Sequence, residues 1–167
     1  MQDSNKFIMI KKQDKVFLQF AIDEASKNID NGGGPFAAVI ISPKGEVVCV
    51  KGNTVTRTFD PTAHAEINAI RLACKLHRTF SLKGYTIYSS CEPCPMCLGA
   101  IYWAGISRIV YGASAEDAAE IDFSDKFIYD ELALPKTKRS VPMERGLKKE
   151  ALVPFEKWKN TEGKTMY

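Results

Sequence analysis

Tyr85-Thr86-Ile87-Tyr88-Ser89-Ser90-Cys91-Glu92-Pro93-Cys94-Pro95-Met96-Cys97-Leu98-Gly99-Ala100-Ile101-Tyr102-Trp103-Ala104, separated by three residues from Arg108-Ile109-Val110-Tyr111, sets the architecture. Tyr85 to Tyr88 is aromatic and β-branched and predicts a strand. Pro93 and Pro95 suit a helix start, so Pro95 to Ala104 reads as a short apolar helix. Arg108 to Tyr111 is the next strand. Two strands joined through a helix lie parallel, with a right-handed crossover. Upstream, Phe36-Ala37-Ala38-Val39-Ile40-Ile41 is an apolar run typical of a buried strand. Ser42-Pro43-Lys44-Gly45 turns the chain, and Glu46 to Val50 returns as its hairpin partner. Val16, Phe17, Phe20, Ala21, Ala25 and Ile29 recur at helical spacing and predict a helix from about Asp14 to Ile29, stopped by Asn31-Gly32-Gly33-Gly34. Thr54 to Thr62 is a polar loop, and Ala63 to His77 a helix. Later come short helices near Asp125 to Leu132 and Pro154 to Lys159. The order α-β-β-α-β-α-β is that of an α/β fold, a three-layer α/β/α sandwich with helices on both faces of one sheet. Sites in such sheets collect where strands end and helices begin.

The 167 residues suffice for one domain, 1–167, and no repeat or linker divides them. With 45% hydrophobic and 26% charged residues, wholesale disorder, collagen and coiled coil are excluded. Phe7-Ile8-Met9-Ile10 is too short for a signal core or a membrane span, so a cytoplasmic protein with reduced thiols is expected. From Lys136 onward, basic residues outnumber acids, yet Glu144, Glu150, Glu156 and Glu162 are interspersed among them. No arginine–aromatic pattern accompanies them. A solvated surface therefore explains this segment better than a nucleic-acid contact.

Three of the five cysteines crowd into Cys91-Glu92-Pro93-Cys94-Pro95-Met96-Cys97, which points to metal or redox chemistry. Cys91/Cys94 and Cys94/Cys97 are both CxxC pairs. Geometry favours the second. Cys91 is expected on the loop, whereas Cys94 and Cys97 would lie one turn apart on one face of the first helical turn, where free N–H groups and the helix dipole favour thiolate. Cys49 and Cys74 fall inside a strand and a helix, as packing residues. His64-Ala65-Glu66 opens the second long helix. Two residues apart in a helix interior, His64 and Glu66 would point about 200° apart, so they can serve one site only at the helix start. Together these residues supply three zinc ligands and a proton carrier, leaving one coordination position for water. His77, at the polar end of the same helix, carries no such signal.

His64-x-Glu66 and Pro93-Cys94-x-x-Cys97 match the zinc deaminase signature. The chain resembles the cytidine deaminase-like superfamily. Within it, Gly33 to Ile40, Asp60 to Glu66, Ser90 to Ala104 and Phe123 to Tyr129 are similar to the small guanine deaminases of bacteria. The resemblance runs from about Phe17 to Tyr167. It implies a mixed five-stranded sheet, one Zn2+ per chain held by His64, Cys94 and Cys97, and Glu66 as proton shuttle. It further implies that Asn53 and Asp125 recognise the purine base, that Phe36 and Trp103 surround it, and that Tyr167 closes the pocket. In that family the C-terminal tail, here about 145–167, is exchanged between two subunits, which implies a homodimer. The implied reaction is hydrolysis of guanine to xanthine and ammonia. The longer N-terminus and the Lys/Glu-rich stretch from Met143 to Glu150 depart from the family. Guanosine, cytosine or tRNA adenosine remain alternative substrates. Two further alternatives are a nucleic-acid binding module with a structural zinc, to which Cys91 would add a fourth ligand, and a thiol oxidoreductase. The latter leaves His64-x-Glu66 without a purpose.

Overall fold

A computed structural model describes residues 10–166. In chain order the elements are α1 (Lys12–Asp30), β1 (Ala37–Ile41), β2 (Val47–Gly52), α2 (Val55–Thr58), α3 (Ala65–His77), β3 (Thr86–Cys91), α4 (Pro95–Trp103), β4 (Arg108–Ala113), α5 (Ala115–Ala119), α6 (Lys126–Ala133), a 3-10 turn (Lys136–Lys138) and α7 (Lys148–Lys159). The described residues fall into two compact units, one ending at Asp125 and the other beginning at Lys126.

In the first unit the sheet order is β2-β1-β3-β4. β1 pairs antiparallel with both β2 and β3, while β3 and β4 are parallel. The hairpin and the parallel crossover through α4 are thus as the sequence predicts. All five residues of β1 are buried, and successive side chains serve opposite faces. Val39 and Ile41 join Tyr88 and Val110 against Phe17 and Ala21 of α1. Ala38 and Ile40 join Ile87 against Ala65, Ala69, Ile70 and Ala73 of α3 and Ile101 of α4. Full burial of a residue such as Ile40 or Ile87 contributes about 2 kcal/mol. These two cores make the three layers.

Asp14 locks α1 to the sheet. Its carboxylate accepts two bonds from Arg108 of β4, at 2.7 and 2.8 Å, one from the Tyr88 hydroxyl at 2.6 Å, and one from the Lys11 amide at 2.8 Å. The Arg108 guanidinium holds the Asp14 carboxyl well below the usual range.

Four strands are found among the described residues, not five. After Ala113 the Ser114 hydroxyl accepts from the Asp117 amide and the Asp117 carboxylate accepts from the Ser114 amide, a reciprocal cap that turns the chain into α5. Asp122 then takes a left-handed φ of 68°, so the chain does not return to extended form. β3 runs on through Ser90 to Cys91, which pairs with Ala113; Cys91 therefore ends a strand and does not lie on the loop. α7 begins at Lys148 and carries Pro154 inside it, earlier than its proline suggested. No helix among the described residues is long and apolar enough to cross a membrane.

Candidate active site

Two helix starts meet on the α3/α4 side of the sheet. Before α3, the Asp60 carboxylate accepts from the amide and hydroxyl of Thr62, at 2.8 and 2.7 Å. This turn delivers His64 as the N-cap of α3 in extended conformation. His64 therefore lies outside the helix and Glu66 within its first turn, which removes the obstacle that both residues would otherwise face opposite ways. Before α4, Cys94 is the N-cap and Pro95 the first helical residue, where its missing N–H costs nothing. Cys97 follows one turn on, fully buried.

The donor atoms of His64, Cys94 and Cys97 all lie within 4.8 Å of one another, and no other such group of histidine, cysteine and acidic residues occurs among the described residues. Cys94 Sγ is 3.6 Å from His64 Nδ1. A tetrahedral zinc with ordinary Zn–S and Zn–N bonds separates its ligands by roughly 3.6 Å. One imidazole and two thiols, with no fourth side chain, fit a zinc centre that keeps a position open. The electrostatics agree: a hydrogen bond from Cys97 and the nearby His64 push the Cys94 thiol far down, while the same bond, burial and Glu66 push Cys97 up. Cys94 in turn raises His64.

Glu66 is 6% exposed. Its Oε1 accepts from the Ser89 hydroxyl at 2.9 Å, and its Oε2 lies 3.4 Å from Cys97 Sγ. Burial pushes this carboxyl up, so it holds a proton more readily than a surface glutamate. Asp125 is also raised by burial and by the negative charge of Cys94, Glu92 and Glu116.

Cys91 takes a separate path. Its thiol donates to the Ser114 carbonyl at 3.5 Å, and burial pushes it up to about 11. It fastens the end of β3 to the cap of α5, and Glu92 assists by accepting from the Ala115 amide at 3.3 Å. Cys49 and Cys74 are also free thiols raised by burial.

Asn53 is buried at the end of β2, its Oδ1 accepting from the Val55 amide at 3.0 Å and its own amide donating to the Phe36 carbonyl at 2.9 Å. Asn68 of α3 holds this corner to the other by donating to Gly52, Thr54 and Ala63. Phe36 meets Phe123 edge-on, with ring centroids 4.9 Å apart. Trp103 ends α4, 77% exposed, about 13 Å along the helix axis from Cys94. Tyr167 lies outside the described residues. His77 packs edge-on to Tyr85 at 5.6 Å, away from the ligands.

Asn28 and Ser89 were missed from sequence. Asn28 is buried near the end of α1. Its Nδ2 donates to the Gly34 and Asn53 carbonyls, both at 2.8 Å, and its Oδ1 accepts from Arg57 at 3.2 Å. Gly33 and Gly52 make the room: a Cβ there would stand 2.3 Å from Asn28 Nδ2 and 2.4 Å from its Oδ1. The glycines beside an apolar strand were the available signal.

The chain is 45% identical to guanine deaminase of Bacillus subtilis over 92% of its own length and 98% of that protein. A crystal structure of guanine deaminase from Bacillus subtilis superposes with a TM-score of 0.89 at 43% identity, covering 95% of this chain and 99% of that one. The tRNA-specific adenosine deaminase of Bacillus subtilis is 38% identical over 60% of this chain and 62% of its own. The profile of the cytidine and deoxycytidylate deaminase zinc-binding region matches residues 11–113. That span runs from the start of α1 to the end of β4 and holds both helix starts with all three metal-ready side chains, so the chain belongs to the cytidine and deoxycytidylate deaminase zinc-binding family.

Proposed function

We propose that this protein hydrolyses guanine to xanthine and ammonia, with one zinc ion held by His64, Cys94 and Cys97. The observation that carries the reading is the buried Glu66 carboxylate set against the Cys97 ligand, with its proton affinity raised by burial. Likeness to guanine deaminase across nearly the whole chain supports guanine as the base. A zinc ion held by these three side chains would acidify water and so make a nucleophile available for guanine C2 at neutral pH. Glu66 takes the water's proton, passes it to ring N3, and then assists protonation of the departing amine. Asn53, fixed on both backbone sides, hydrogen-bonds the purine, and Asp125 recognises its amide-like edge. Phe36, braced by Phe123, offers an aromatic wall.

The active molecule is read as a homodimer whose tail, about 145–167, is exchanged so that Tyr167 closes a site. α6 and α7 contain no buried residue, and Leu147, Val153, Phe155 and Met166 are exposed. So many uncovered apolar side chains on a short helical segment support an exchanged contact.

The zinc-loaded protein is expected to release ammonia from free guanine, at least tenfold faster than from guanosine, cytosine or tRNA. Glu66→Ala is expected to keep zinc and lose at least a hundredfold in turnover. Near-normal turnover in that variant, or a preference for another substrate, would refute the reading.

A further inference from the structure

Ser89 is 2% exposed, on the face of β3 that looks toward α3. A hydroxyl enclosed this way costs free energy unless it is hydrogen-bonded, and its partner is the Glu66 carboxylate. The two oxygens of that carboxylate are not equivalent. Oε1 accepts from Ser89 at 2.9 Å, whereas Oε2 faces Cys97 Sγ at 3.4 Å. A cysteine that holds a metal does so as thiolate and has no proton to donate. The contact on Oε2 is a hydrogen bond only while Cys97 remains a thiol. Once Cys97 is a ligand, Ser89 is the one side-chain donor left to Glu66 among the described residues.

We propose that Ser89 is a positioning residue for the proton carrier: its hydroxyl pins Oε1, fixes the plane of the carboxylate and leaves Oε2 to take and deliver protons. The inference rests on Glu66 as proton carrier. Without the pin the carboxylate turns about its last bond, and a misplacement on the order of 1 Å at such a group costs about a hundredfold in rate. Zinc binding and base binding do not use the Ser89 hydroxyl, so both survive its loss.

The test compares zinc-loaded wild type, Ser89→Ala, Ser89→Thr and Ser89→Val with guanine. Val has the shape of Thr without its hydroxyl, so the Thr/Val pair isolates the hydrogen bond even where the Ala variant folds poorly. In Ser89→Ala and Ser89→Val, kcat is expected to fall about tenfold to a hundredfold. KM should stay within about threefold, zinc content should be unchanged, and the solvent deuterium isotope effect on kcat should grow, because proton transfer becomes more rate-limiting. Ser89→Thr should restore most of kcat. Equal kcat in the Thr and Val variants overturns the inference, as does a loss of zinc or a rise in KM that matches the fall in kcat. Glu66→Ala separates the two levels: if it is dead while Ser89→Val is normal, only the positioning role fails; if it is active, the proton-carrier assignment fails first.

Discussion

The Asn28 side chain holds the Gly34 and Asn53 carbonyls and is itself held by Arg57. Asn28→Ala leaves two carbonyls without that donor, which costs roughly 2–4 kcal/mol. Because the Asn53 backbone loses its anchor, KM for guanine is expected to rise about tenfold while zinc content stays whole. Thermal melts and steady-state kinetics check both, and an unchanged KM would confine Asn28 to stability. The metal-ready residues were legible from sequence because their spacing is short: His64 and Glu66 share one helix start, Cys94 and Cys97 another. Asn28 and Ser89 were not, because their bonds to Asn53 and Glu66 span 25 and 23 residues. Spacing within a motif survives in a linear reading; a hydrogen bond between distant strands and helices does not.

Strong periodicity made the long elements legible. α1 and α3 carry apolar faces, and β1 is apolar throughout because two helical layers cover it. The segment after β4 is opaque in the sequence for a local reason: α5 is only five residues long, too short for a periodicity to show. Pro154 makes the sequence suggest a later start for α7 than Lys148, because a proline marks a helix start more often than a helix interior. Between elements, the decisive contact is Asp14 with Arg108 and Tyr88. Arg108 lowers the Asp14 carboxyl, so this interaction stabilises the fold fully above the unfolded carboxylate value of about 3.9. It is lost as pH falls below that value toward the lowered one. Asp14→Asn should therefore cost roughly 2 kcal/mol near neutrality; Arg108 is 31% exposed, and water screens the pair in part. The difference between variant and wild type should narrow in acid. Melting temperatures at pH 7 and pH 3 check this, and a constant difference would mean that the charge on Asp14 is unimportant.

For the molecule as a whole, tail exchange makes a prediction that no single site does. A Glu66→Ala chain and a chain lacking Tyr167 should each be inactive alone. In a mixed dimer with exchanged tails, one site receives an intact Glu66 and an intact tail. Co-refolding equal amounts should restore about a quarter of wild-type activity, since half the dimers are mixed and each holds one good site. No recovery would place each tail on its own subunit. The four-stranded arrangement also bears on how the metal centre is assembled in time. An unfolded chain offers zinc three thiols, Cys91, Cys94 and Cys97, within seven consecutive residues. Pairing of β3 with β4 withdraws the first, turning it toward the Ser114 carbonyl, and only the completed fold brings His64 to the other two. An ion captured before the sheet closes would meet the wrong set of ligands and hold Cys91 out of its strand. The folded chain thus edits the list of donors: the paired strand end keeps Cys91 at the Ser114 carbonyl and leaves Cys94 and Cys97 to join His64.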